Sequence, residues 1–224
     1  MGLFVLQREV AGVVGDAEMG VDEALGGLFG ADIRRTTLIA SLLCAISLTG
    51  HWCFMFWQQA FIRSHPAVLD GSPELKAKVV STALFWVISA SVIGNFASGW
   101  AAQRFGYRRA LAAFFAVYFV LMAVTFAHPW SLGVTYVLYA GVGFCQGVFG
   151  LFTMALPPLF PTLLRTTGAG FSYNIGRVFA AAGTVFFGIF AKVGDFSSVL
   201  LYASFLFLPA ALLALWLPTE EATS

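Results

Sequence analysis

The sequence predicts an all-α membrane protein, a bundle of about six transmembrane helices, and three observations carry that prediction. Hydrophobic residues make up 59% of the 224-residue chain and charged residues only 10%, whereas soluble domains carry about 25% charge. The charges gather into short clusters, and the uncharged runs between them are of bilayer length. Those runs are apolar throughout and do not alternate in segments of about ten residues, which excludes barrel strands. A helix is then the form that satisfies every backbone group inside lipid.

The first segment, residues 1–33, carries Glu9, Asp16, Glu18, Asp22, Glu23 and Asp32 among many glycines. It reads as an aqueous tail with room for one short helix. Its opening Met1 to Leu6 has no preceding basic region, so it does not read as a signal peptide, and Leu6 breaks the myristoylation pattern. Residues 34–218 then hold the bundle. The first span covers about 37–61, enough at 1.5 Å per residue to cross roughly 30 Å of hydrocarbon. Arg63 to Lys78, with Pro66, Asp70-Gly71 and Pro73, reads as an aqueous loop before the second span at about 79–102. Arg104 and Arg108-Arg109 close that run, and a third span, about 110–127, ends in the interfacial turn His128-Pro129-Trp130.

A fourth span follows at about 131–155. Pro157-Pro158 and Pro161 cannot continue a helix, so this stretch connects to spans five, about 168–191, and six, about 197–217. Residues 219–224 form a short tail. Six spans place both termini on one side, together with Arg34, Arg35, Arg104, Arg108, Arg109 and Arg165. The other side receives Arg63, Lys76, Lys78 and Lys192, so the positive-inside rule makes both ends cytoplasmic and the location the cell membrane, inner or plasma.

With 12 basic and 11 acidic residues, the net charge of +1 offers no pull toward nucleic acid, and the lipid bilayer is the expected partner. Cys44, Cys53 and Cys145 lie in apolar runs without metal-ligand spacing and read as buried thiols. Neither a cofactor nor a metal is expected. The chain also lacks the embedded His-Glu, paired Asp or Ser/His constellations that intramembrane chemistry needs, which argues against an enzyme.

Between spans two and three stands Gly99-Trp100-Ala101-Ala102-Gln103-Arg104-Phe105-Gly106-Tyr107-Arg108-Arg109. It resembles the loop signature of the major facilitator superfamily, with Gln103 where the family usually has Asp. Glycines there permit a tight reversal and close helix approach, while the arginines bond helix-end carbonyls or meet anionic lipid. Gating and simple topological anchoring both remain open for Gly99, Gln103, Arg104, Gly106, Arg108 and Arg109. The loss of the acid weakens the contacts it makes in the inward-closed state.

Residues 156–170, from Leu156-Pro157-Pro158 to Gly168-Ala169-Gly170, resemble the connection between the tenth and eleventh helices of sugar, aromatic-acid and sialate porters, with Pro158 replacing an acid. Together with Phe171-Ser172-Tyr173-Asn174-Ile175-Gly176-Arg177, they look most like the branches that carry organic acids with protons. The resemblance implies that spans one to six are the second six-helix half of such a carrier and that residues 1–33 correspond to its central cytoplasmic loop. It implies a small, anionic organic solute moved by alternating access, and a missing first bundle supplied by a separate half or by a second copy of the chain. A non-transporting scaffold, an inactive truncated carrier and a channel are the rival readings.

Arg177 is the sharpest polar feature, about 13 Å into the fifth span by helical rise, where a cation is costly unless paired or hydrated. Its guanidinium suits a substrate carboxylate, and an anchor to helix carbonyls is the alternative. Tyr173 and Asn174 precede it by one helical turn and are expected to share its face. His51, Gln58 and Gln59 in the first span are expected to line the same passage, with His51 either a proton carrier or a packing residue. Gln146 and Asn95 are weighed in the same way, and Gly143 and Gly147 have the spacing of a close helix contact. No acidic residue lies within a span, so proton coupling would use His51 or the absent half.

Overall fold

A computed structural model describes residues 21–190 and 195–218 of the chain. Among these the protein is all-α, with α1 at Val21–Leu28, α2 at Arg34–Arg63, α3 at Pro73–Phe105 and α4 at Tyr107–Ala127. Then come α5 at Leu132–Gln146, α6 at Val148–Ala155, two single 3-10 turns, α7 at Arg165–Phe190, α8 at Phe196–Ser204 and α9 at Phe207–Trp216. Both α5 with α6 and α8 with α9 form one span apiece, and with α2, α3 and α4 they make five segments long and apolar enough to cross a membrane. The remaining expected span is α7. Its 26 residues are long enough, but Arg177, Asn174 and several small polar residues dilute its apolarity, so five such helices stand where six were expected.

The charged loop expected over 63–78 is shorter than its charges imply. Ser72 caps α3, its Oγ accepting from the Leu75 amide at 3.2 Å, and Pro73 occupies the first helical position. Glu74, Lys76 and Lys78 therefore end the apolar run without ending the helix. At the other end α3 stops at Gly106, whose φ of 84° lies in the region that glycine adopts without strain, and α4 starts at once. The His128-Pro129-Trp130 turn is held by Trp130, whose Nε1 donates to the Val124 carbonyl at 2.8 Å. It meets the other loop at that end where the His65 ring nitrogen Nε2 lies 2.9 Å from the Trp130 carbonyl.

Two spans are broken. The last one interrupts at Phe205-Leu206 because Pro209 lacks an N–H and its ring displaces the carbonyl four residues earlier, that of Phe205. The fourth breaks at Gly147, which is pressed against α3. Asp195 caps α8; hydrogen bonds from Ser198, including its amide at 3.1 Å, hold the Asp195 carboxyl below its usual range.

Helix α2 packs along α7, α3 along α5 and α9 along α4. Small residues set the first two contacts. A side chain at Gly94 would strike the Phe144 carbonyl, one at Gly143 the Val87 carbonyl and one at Gly147 the backbone of Gly94 and Asn95. Ser98 Oγ then donates across that seam to the Gly147 carbonyl at 3.0 Å. On the α2–α7 seam, Gly176 meets Cys44. The core between α4 and α9 is aromatic, with buried Tyr118 and Phe207 stacked at 4.0 Å.

Outside, Phe85, Ile93, Phe96 and Trp100 of α3 and Val178, Phe179 and Ile189 of α7 are more than half exposed. Such a surface is stable in lipid or against another apolar bundle, and this is an all-α membrane protein. Helix α1 falls within the segment expected in water, yet its end is packed: Leu28 is buried, Thr37 Oγ1 donates to its carbonyl at 2.8 Å, and Phe29 meets Phe171 edge-on at 5.7 Å. The expectations for residues 1–20, 219–224 and Lys192 lie outside the described residues.

Candidate functional site

The polar residues singled out in the spans separate into an interior set and a surface set. Inside, the His51 ring of α2 sits with Nδ1 3.4 Å from the Tyr118 hydroxyl of α4 and its centroid 4.5 Å from the Phe149 ring of α6. One turn along α2, Met55 accepts from Gln146 Nε2 at 3.4 Å, so the last residue of α5 closes this group beside the break in the fourth span. A further turn brings Gln58, which is fully buried. Tyr139 donates to its main-chain carbonyl at 3.4 Å, but both atoms of the Gln58 side-chain amide lack a partner among the described residues. Gln59, beside it, is half-buried.

The surface set centres on Arg177. Its side chain is exposed on α7 and lines a hollow of about 640 Å³ walled by Trp52, Phe56 and Trp57 of α2 and by Ala181 and Thr184 of its own helix. Trp57 Nε1 donates to the Thr184 carbonyl at 3.2 Å, which fixes one wall against the other. The guanidinium itself makes no hydrogen bond or ion pair with any described residue. Tyr173 and Asn174 do not close around it. Half-buried Tyr173 turns its ring to Phe152 at 6.4 Å, and Asn174 bonds back to the Gly170 carbonyl at 2.9 Å.

Trp52 joins the two sets, since its ring lies 5.6 Å from that of His51 while its face borders the Arg177 hollow. Sequence reasoning missed Trp52, Trp57 and Tyr118, because an aromatic residue inside an apolar run carries no contrast. A weak signal was present in the clustering of Trp52, Phe56 and Trp57 on one turn and a half of α2. Asn95, weighed with Gln146, is exposed on α3 and donates to the Ser91 carbonyl at 2.9 Å. Among the described residues no three His, Cys, Asp or Glu side chains come together as metal ligands.

The loop signature has its own geometry. Gly106 makes the reversal, but a side chain at Gly99 would meet no described residue within 4 Å, so among the described residues the expectation of close helix approach does not hold there. Gln103, Arg104 and Arg109 are exposed, while Arg108 is half-buried. Gln103, Arg108 and Arg109 line a second hollow of about 740 Å³ that extends to Pro158 and Leu159 and to the end of α9.

No protein-family model matches the chain. Among curated proteins it is similar to a cis,cis-muconate transport protein of Acinetobacter baylyi, at 28% identity over 134 residues that cover 58% of this chain and 32% of that protein. It is also similar to a probable 4-methylmuconolactone transporter of Cupriavidus pinatubonensis, at 25% identity over 167 residues covering 74% of this chain and 37% of that one. The chain thus spans about a third of the length of the curated relatives it matches. Both are named as transporters and neither as an enzyme, and the likeness of this chain to organic-acid transporters stands on them as well as on its motifs.

Proposed function

We propose that this chain is a six-helix half of a major facilitator carrier for an unsaturated organic acid, in which Arg177 holds the solute carboxylate. The observation that carries this reading is the bare guanidinium in the wall of the aromatic hollow. A cation facing lipid at this depth costs about 2.5–3.5 kcal/mol, so the α2–α7 face turns toward a wet cleft or another bundle. Guanidinium matches a carboxylate with two parallel hydrogen bonds, and the flanking Trp52, Phe56 and Trp57 suit a flat conjugated body. Muconate, named in one relative, is such a molecule.

Alternating access by rocking of this bundle against a second one follows from the same fold, with the partner either a separate half or a second copy. The six arginines gathered at one end of the helices support cytoplasmic termini in the inner membrane. His51, 3.4 Å from Tyr118 and one ring away from the solute hollow, is the group through which a proton would be coupled.

The test is equilibrium binding of radiolabelled cis,cis-muconate to the chain in lipid nanodiscs. Wild type saturates and its dimethyl ester does not compete. Arg177→Ala weakens binding by about tenfold or more, as expected for a lost charge-assisted pair, and Arg177→Lys retains part of it. Equal affinity in wild type and Arg177→Ala would falsify the assigned role.

A further inference from the structure

We propose that the hollow at the α3–α4 reversal is a site for a phosphodiester anion, filled by the headgroup of an anionic phospholipid. Its charged lining residues, among those described, are cations: Arg108 and Arg109 from the first turn of α4, joined by the amide of Gln103 from the last turn of α3. Among the described residues no carboxylate lines it, and Gln103 stands beside the two cations as a neutral amide. Arg108 Nε is shut off from solvent and has no hydrogen-bond partner among the described residues, which leaves that guanidinium donor without an acceptor.

The backbone adds to the same field. Gly106 precedes α4 with no side chain to cap it, so the free first-turn amides and the positive end of the helix face the reversal. A tetrahedral oxyanion with several acceptor oxygens satisfies two guanidinium groups and helix amides together, which a single carboxylate does not.

The rest of the wall selects a lipid over a free anion. Leu159, Leu215, Leu217 and the rings of Pro158 and Pro218 are apolar, so the ligand carries apolar matter next to its charge. The hollow sits where four spans end, and exposed Trp100, edge-on to Phe105 at 6.1 Å, marks the depth at which headgroups lie. A lipid held there bridges the α3–α4 reversal, the proline connection and the end of α9. This inference needs the membrane fold but not the transport reading, so muconate binding and lipid retention fail independently.

The chain is reconstituted into phosphatidylcholine vesicles containing phosphatidylglycerol, extracted in mild detergent and weighed by native mass spectrometry. Wild type retains phosphatidylglycerol in preference to phosphatidylcholine. Arg108→Gln with Arg109→Gln lowers that retention about tenfold, whereas Arg34→Gln with Arg35→Gln, which removes equal charge from the same end outside the hollow, leaves it unchanged. If the glutamine pair loses its helical circular dichroism, Arg108→Lys with Arg109→Lys takes its place, keeping charge but losing the fork, and a severalfold loss is again expected. Equal loss in both double variants, or no preference in wild type, overturns the site. Full displacement of the lipid by millimolar inorganic phosphate shows a small-anion site and overturns the lipid assignment.

Discussion

Gln58 and Arg177 are both polar side chains without partners among the described residues, and their surroundings set opposite expectations for them. Arg177 is exposed and meets whatever covers α7, whereas Gln58 is sealed in the bundle with both amide atoms unbonded. A buried amide without a hydrogen bond costs about 1–3 kcal/mol, and replacing it with an apolar group of similar shape leaves no orphan behind. Gln58→Leu should therefore raise the thermal midpoint in detergent, read by size-exclusion after heating. A lowered midpoint would show that the folded protein supplies an acceptor for that amide. Arg177 was legible in the sequence because a cation in an oily run stands out. Trp52 and Tyr118 were not, since their letters match the run and only their neighbours give them a place beside it.

Helix contacts divide in the same way. The four-residue spacing of Gly143 and Gly147 announced a close approach, but not that the approaching backbone is that of Val87 and Gly94 on α3. Because a side chain at Gly94 would meet the Phe144 carbonyl rather than a flexible side chain, Gly94→Val should cost about 1–3 kcal/mol or more and lower the yield of monodisperse protein. Gly99→Ala should be tolerated and even stabilise α3 by about 0.5–1 kcal/mol, since open space surrounds it. Thermal midpoints of the two variants side by side check this, and equal losses would contradict it. The break near Pro209 was written in the chain. The one at Gly147 arises because that glycine is pinned against another helix.

The arrangement of the whole chain rests on the parity of its spans and on where the arginines fall. If Arg34, Arg104, Arg108 and Arg165 mark the cytoplasmic end, the loop between α2 and α3 is outside. Exposed Ala67, changed to cysteine, should react with a membrane-impermeant maleimide in intact cells, and exposed Thr162, changed likewise, only after permeabilisation. The native Cys44, Cys53 and Cys145 are buried and give a low background. The opposite labelling pattern would invert the topology. Three spans separate the two sites, α3, α4 and the paired α5 and α6, so an odd number of crossings sets them on opposite sides.

Composition and the rhythm of charge settled that the polypeptide is helical and membrane-borne, and the Gly99–Arg109 and proline motifs settled its likeness to a carrier. Those properties are carried along the chain, through solvation of each run and the fixed hydrogen bonding of a helix in lipid. Folding alone set His51 beside Tyr118, sealed Gln58 away from water and left Arg177 facing outward among indole rings. Each of those outcomes depends on which faces of separate helices meet, and in an oily medium that choice is made by close packing of small residues, which no single helix encodes.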